Sequence, residues 1–256
     1  MQANPYESTD IQGQQTLPYN RIALTPIKYM QRAYRMMGEQ YFLFLGITVC
    51  ALLLGSIVPF GILFGPMLAG IYLCFLQKES GTPVKFDTLF QGFEHFVPTM
   101  LVMLTAILCN LLFTVTIMAL TFLAVIIVAP IVGNGSANGL SEWVVAIGFA
   151  TGYIALVLGS FLTFVPFTFC FQLIAEHKLP AGTAMHTSAR AALHNLFPLL
   201  AIFICLSFCG LVAALFCYIP LFFLMPLQIG AMFILYRDTF PKVSDNETKL
   251  PLPGSP

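Results

Sequence analysis

The stretch VPTMLVMLTAILCNLLFTVTIMALTFLAVIIVAPIV, Val97–Val132, runs for 36 positions without a charged residue. As an α-helix it would extend about 54 Å, whereas the hydrocarbon core of a bilayer is about 30 Å thick. The run therefore reads as a membrane-crossing helix with length to spare. It closes at Gly133-Asn134-Gly135-Ser136-Ala137-Asn138-Gly139, a loop signal. The whole chain has the same character: 58% of its 256 residues are hydrophobic and 9% are charged. An ordinary soluble domain carries about 25% charged residues. A soluble protein of this size has too little interior to hide that much apolar surface, so lipid must cover much of it.

Outward from this run the pattern repeats. Trp143–Ala175 is a second long apolar stretch, with Pro166 inside it and Glu176-His177-Lys178 at its end. Tyr41–Val58 and Ile62–Gln77 flank Pro59-Phe60-Gly61, while Leu196–Cys217 and Leu221–Tyr236 flank Tyr218-Ile219-Pro220. The expected fold is an all-α, six-span transmembrane helical bundle. The two central runs either form long tilted helices that project past the bilayer or bend at Pro166 and near Pro130. The transmembrane domain is expected over 21–240, as hairpin units of about 24–80, 83–179 and 180–240. The polar tails 1–20 and 241–256 are expected to be disordered. Met1–Asn20 lacks the basic start and apolar stretch of a signal peptide, so the first span is expected to stay in the product.

Six spans place both termini on one side. The eleven basic residues (Arg21, Lys28, Arg32, Arg35, Lys78, Lys85, Lys178, Arg190, Arg237, Lys242 and Lys249) then all fall on that side. The positive-inside rule makes that side cytoplasmic. Trp143 falls where an anchor at the outer interface would sit.

Three descending spans share a layout. Pro66 precedes Lys78 by 12 residues, Pro166 precedes Lys178 by 12, and Pro226 precedes Arg237 by 11. Glu79, Glu176 and Asp238 lie within two positions of those cations. Basic groups at a helix C-terminus complement its macrodipole. Before each hairpin comes an amphipathic stretch. Ile27, Met30, Tyr34, Met37 and Tyr41 form one stripe beside Lys28, Arg32 and Arg35. Phe86, Leu89, Phe90, Phe93 and Val97 form the second, opposite Lys85, Asp87, Gln91 and Glu94. Met185, Ala189, Ala192, Leu193 and Leu196 form the third, opposite His186, Arg190 and His194. Apolar positions at three- and four-residue spacing beside basic groups describe elbow helices lying in a membrane interface. Lys28, Arg32, Arg35, Lys85, His186, Arg190 and His194 are thus the candidate cytoplasmic interface, open to lipid headgroups or a protein partner.

Chemistry inside the spans is sparse. No Asp, Glu, Lys, Arg or His lies within them, which argues against a proton-driven pump. Asn110, with Thr105, Thr114 and Thr116 on the same helix, is the candidate intramembrane polar contact. Such a group either meets a substrate or, more commonly, bonds between helices. His186 and His194 flank Arg190, an arrangement poorly suited to converging metal ligands. The seven cysteines all lie in apolar runs without a CxxC pair, so neither a zinc cluster nor a disulfide framework is expected. HExxH, GxSxG and phosphate-loop patterns are absent from the sequence. No cofactor, metal or nucleic-acid partner is expected. Gly65, Ala69 and Gly70 offer a small-residue surface for close helix approach, and Asn134-Gly135-Ser136 is a formal glycosylation sequon.

Two stretches carry a resemblance. Gly65-Pro66-Met67-Leu68-Ala69-Gly70 is followed by Gly81-Thr82-Pro83-Val84-Lys85-Phe86-Asp87-Thr88-Leu89-Phe90-Gln91-Gly92-Phe93. The pair resembles the G-P-L-x-x-G and L-F-x-G-F pattern of bacterial polytopic inner-membrane families of unknown function, similar to the membrane domain of glycerophosphodiester phosphodiesterases. The resemblance covers mainly residues 26–108. It implies an architecture and carries no catalytic residue onto these positions. The resulting expectation is a non-enzymatic membrane-organising or partner-binding protein of the bacterial inner membrane. The alternative is a transporter or binder of a lipid or other hydrophobic small molecule, its cavity lined by the long central pair.

Overall fold

A computed structural model describes residues 19–22, 25–57, 61–133, 140–216 and 219–242. The tails expected to be disordered, apart from residues 19–20 and 241–242, and the Asn134-Gly135-Ser136 sequon lie outside the described residues. The chain forms α1 (Pro26–Met37), α2 (Tyr41–Ile57), α3 (Phe64–Glu79), α4 (Phe96–Gly133), α5 (Leu140–Phe164), α6 (Cys170–His177), α7 (Ala181–His194), α8 (Leu196–Leu215) and α9 (Ile219–Thr239). Tighter 3-10 segments occupy Gly38–Gln40, Phe86–His95 and Val165–Phe167. No strand occurs among the described residues, and the all-α bundle read from the sequence is the fold.

Five segments are long and apolar enough to cross a membrane: Pro26–Ile57, Phe86–Val128, Val145–His177, Leu196–Leu215 and Ile219–Thr239. The sixth expected span, α3, is a helix where expected. Its 16 residues reach only about 24 Å, short of the roughly 30 Å hydrocarbon core. The central runs resolve differently from each other. α4 continues unbroken for 38 residues, about 57 Å, through position 130. The second run breaks at Pro166, where α5 gives way to a 3-10 turn and then to α6. The three similarly spaced prolines meet three fates. Pro66 sits in the first turn of α3, Pro166 in that break, and Pro226 inside an uninterrupted α9.

The fold divides into two compact units, Met1–Met103 with Phe167–Pro256, and Leu104–Pro166. In the first, aromatic rings from α2, α3 and α9 stack in a column. Phe44 lies 4.5 Å from Phe75 between centroids, and Phe75 lies 5.4 Å from Phe233. Tyr236 and Phe169 extend this core. Glycines allow close approach around it. A Cβ on Gly70 would stand 2.0 Å from the Leu89 carbonyl oxygen, and one on Gly92 would stand 2.1 Å from that of Pro66. These are backbone atoms that cannot step aside. The motif Gly65–Gly70 and the Leu89–Gly92 turn are therefore two halves of one contact, α3 lying on the 3-10 segment. A 3-10 helix stacks residues three apart, which puts Leu89 and Gly92 on the buried side and Phe90 and Phe93 on the exposed one.

The second unit is the α4–α5 hairpin. Gly148, Gly152 and Gly159 of α5 lie against Val125, Thr121 and Phe113 of α4. Most of its other large apolar side chains are exposed, including Leu112, Met118, Phe122, Tyr153 and Leu158.

Candidate functional site

The charged end of the first unit is where the hairpins are bound together. α3, α6 and α9 each finish with ionisable residues, and the acids of the first two converge on one cation. Arg237 is largely buried, with 10% of its side chain exposed. Its Nε and NH2 donate to Glu79 Oε2 at 2.9 and 2.7 Å, and its NH1 donates to Glu176 Oε2 at 2.8 Å. Those partners lie 158 and 61 residues away in sequence. Tyr236 Oη also donates to Glu176, at 2.6 Å, and Lys242 Nζ stands 3.0 Å from Glu79. The guanidinium lies 5.5 Å from the Phe233 and Tyr236 ring centres, within cation–π range. Beside it, Arg32 of α1 makes a two-pronged bond to Asp238, at 2.6 and 3.0 Å. Fork-to-carboxylate pairs are the geometrically specific kind of ion pair.

Hydrogen bonds outside the carboxylate cluster continue this bracing. Lys78 Nζ donates to Gln40 Oε1 at 2.9 Å, and the Gln40 amide faces the Val84 backbone. Asn195, between α7 and α8, is buried. Its Oδ1 accepts from the Ile22 amide at 3.0 Å, while its Nδ2 donates to the carbonyls of Asn20 and Ala191. Ser188 Oγ accepts from the Phe169 amide at the start of α6. The Lys78–Gln40 bond braces the first hairpin, whereas the Gln40–Val84, Ser188–Phe169 and Asn195–Ile22 bonds reach outside the hairpin each side chain belongs to.

The candidate interface residues fall into two groups. Lys28, Arg35, Lys85, His186, Arg190 and His194 are exposed, and Arg32, also exposed, is engaged in the Asp238 pair. His194 also packs edge-on against the Tyr19 ring. The apolar stripes divide as well. Ile27, Tyr34, Phe86, Phe90, Phe93, Val97 and Leu193 are exposed. A second set buries instead: Tyr29, Ala33 and Met37 of α1, Leu89 and Gly92, and Ala184, Ser188 and Ala191 of α7. Each elbow segment thus has one face packed on the bundle and a different apolar face turned outward.

Asn110, Thr105 and Thr114 are all half-buried on α4. Asn110 Nδ2 is enclosed and makes no hydrogen bond, and Thr116 bonds back to Leu112 O. An apolar cleft of about 500 Å³ lies between α4 and α5, lined by residues such as Thr121, Val125, Gly148 and Gly152. Among the described residues, no group of three or more His, Cys, Asp or Glu is placed to hold a metal.

The sequence reading passed over Gln172 and Gln228, the amides inside the second and third descending spans. With its amide turned to suit its neighbours, Gln172 donates to Thr168 O at 3.1 Å and accepts from Tyr72 Oη at 3.0 Å. Gln228, near the middle of α9, donates to Leu206 O of α8 at 3.1 Å. Their signal was available: a primary amide within an apolar run is costly unless bonded. Two clefts flank Gln228, one of about 230 Å³ and one of about 490 Å³. The chain matches no protein-family model, no curated protein and no solved structure.

Proposed function

We propose that this integral membrane protein is a non-enzymatic organising or partner-binding component of the bacterial inner membrane, its termini cytoplasmic. Its three elbow segments lie among the headgroups of the cytoplasmic leaflet. One observation carries the reading: each elbow packs one face on the bundle and turns bulky apolar side chains and cations outward together. Ile27 and Tyr34 accompany Lys28 and Arg35, Phe86 and Phe90 accompany Lys85, and Leu193 accompanies His186 and Arg190. Apolar groups beside lysine and arginine suit the boundary between acyl chains and anionic headgroups. The resemblance of residues 26–108 to inner-membrane families supports the same placement.

The test uses the single tryptophan. In a Trp143→Phe background, Phe90→Trp places a fluorophore on the second elbow. After reconstitution, brominated acyl chains should quench it strongly and aqueous iodide weakly. Strong iodide quenching with no bromine effect removes the headgroup placement. Turnover of a lipid or peptide substrate by the purified protein overturns the non-enzymatic part.

A further inference from the structure

A pair of clefts in the first unit meets at one amide. The smaller is lined by α2, α3 and α9, including Thr48, Ala51, Met67 and Ile71. The larger is lined by α3, α8 and α9, including Tyr72, Leu206, Ser207 and Gly210. Gln228 and Ile229 line both. Its bond to Leu206 O uses Gln228 Nε2 and fixes the amide plane, leaving Oε1 as an acceptor at the shared wall. Gly210 stands at this wall: a Cβ there would make ordinary contact with Gln228 Nε2, at 3.6 Å, and only a larger side chain would fill the cleft.

The second observation is independent. A hydroxyl inside an apolar helix ordinarily bonds back to the carbonyl four residues earlier. Ser56, Thr99, Thr116, Thr121, Thr151, Thr163 and Thr239 all do so. Thr48 does not: it is 0% exposed, and its Oγ1 has no hydrogen-bond partner. A buried polar atom without a partner is rare and costly. The protein supplies no partner for this hydroxyl, and Thr48 lines the smaller cleft, so a molecule in that cleft is a partner open to it after a small side-chain adjustment.

We infer that the two clefts form a binding site for an uncharged, hydrophobic long-chain molecule bearing a hydroxyl group. The chain fills the apolar walls, and the hydroxyl is held by Gln228 and Thr48. Among the described residues, no ionisable side chain apart from the Tyr72 phenol lines either cleft, which disfavours a charged headgroup. A hydroxyl both donates, as Gln228 Oε1 requires, and accepts, as a threonine hydroxyl allows. Near the middle of α2 and α9, these groups lie where an ordinary phospholipid carries only acyl chain. The site goes beyond the headgroup reading and does not depend on it.

The experiment labels the full chain in nanodiscs with a diazirine-bearing ten-carbon alcohol and maps adducts by mass spectrometry. Adducts should concentrate on α2, α8 and α9 peptides and be competed by 1-decanol but not by decane. Thr48→Val and Gln228→Leu should each weaken competition about fivefold, the factor one net hydrogen bond supplies. Gly210→Leu, which fills the larger cleft, should block labelling there. Thermal unfolding of each variant separates loss of binding from loss of fold. Adducts spread evenly over α4 and α5, equal competition by decane, or unchanged competition in folded variants would each overturn the site.

Discussion

Replacing Arg237 with Gln tests whether the charged end holds the hairpins together. The substitution keeps a polar side chain of moderate length and removes the cation that Glu79 and Glu176 share. Those carboxylates are 26% and 18% exposed, so water only partly compensates them. Removing one partner of a fully buried pair costs about 3–5 kcal/mol. Here Glu176 keeps the Tyr236 hydroxyl and Glu79 keeps Lys242. With partial exposure, these remaining partners reduce the expected loss to about 2–3 kcal/mol. Arg237→Lys retains the charge but not the fork that reaches both acids, and should lose about half as much. Reversible unfolding in mixed detergent micelles, followed by circular dichroism, measures each loss. A cycle pairing Arg237→Gln with Glu79→Gln should show coupling of about 1–2 kcal/mol, because the two side chains touch. If Arg237→Gln unfolds at the wild-type detergent fraction and the cycle is additive, the cluster is an exposed ornament and the hairpins are joined by other means.

Other substitutions probe different joints of the same unit. Gly92→Ala should destabilise by about 3 kcal/mol or more in the same unfolding assay, since its Cβ would meet backbone atoms of Pro66 and Gly70. Gly46→Ala on α2 has open space around it and should be neutral or stabilising by up to about 1 kcal/mol; equal effects at the two sites would contradict the packing argument. Asn195→Ala removes two buried hydrogen bonds and one part-buried one and should cost about 2–3 kcal/mol, with faster hydrogen exchange at the Ile22 amide. Protection at Ile22 that survives the change would show that the amide is held elsewhere. Thr48→Val deletes an unpaired hydroxyl and should raise the stability of ligand-free protein by about 1 kcal/mol, whereas a loss would mean that the hydroxyl is already bonded.

Sequence pattern reached the helices more readily than their arrangement. Hydropathy located α2, α4, α8 and α9 because lipid-length apolar runs have few other uses. It could not give the fate of a proline. Pro66, Pro166 and Pro226 have similar spacing to a terminal cation, yet one starts a helix, one breaks a span and one rides inside α9. A proline in a first turn removes no intrahelical bond, whereas one farther along frees a carbonyl, and spacing from a terminal cation does not distinguish these positions. The acids beside the terminal cations were visible too, but the macrodipole reading accounted only for the cations. Their actual partners lie across hairpins, as Arg237 reaches back to Glu79. The elbow stripes mixed two faces: Met37, Leu89 and Ala192 are buried, whereas Ile27, Tyr34, Phe90 and Leu193 are exposed. In α1 the inward set is Tyr29, Ala33 and Met37, a narrower row beside the stripe of Ile27 and Tyr34. A small-residue face gives little hydropathic signal even when it makes the tightest contact. The same weakness hid Gln228, a single amide within a strongly apolar helix.

These misses share a physical origin. Acyl chains are as apolar as leucine, so once helices are inserted, burying leucine against leucine gains little over leaving it in lipid. The 58% of hydrophobic residues therefore drive insertion and are nearly silent on which helix meets which. Selection of one arrangement falls to contacts that lipid cannot imitate: backbone against backbone at Gly70 and Gly92, the Arg237 fork on two carboxylates, and the Asn195 amide on three backbone groups. All three kinds occur in the first unit, and the last two reach segments remote in sequence, Glu79 lying 158 residues from Arg237 and Ile22 lying 173 from Asn195. The α4–α5 hairpin relies on a row of glycines against Phe113, Thr121 and Val125, while Asn110 Nδ2 goes unbonded. Substitutions of exposed leucines on α4 should thus leave the first unit's arrangement intact, whereas a single methyl at Gly92 should not.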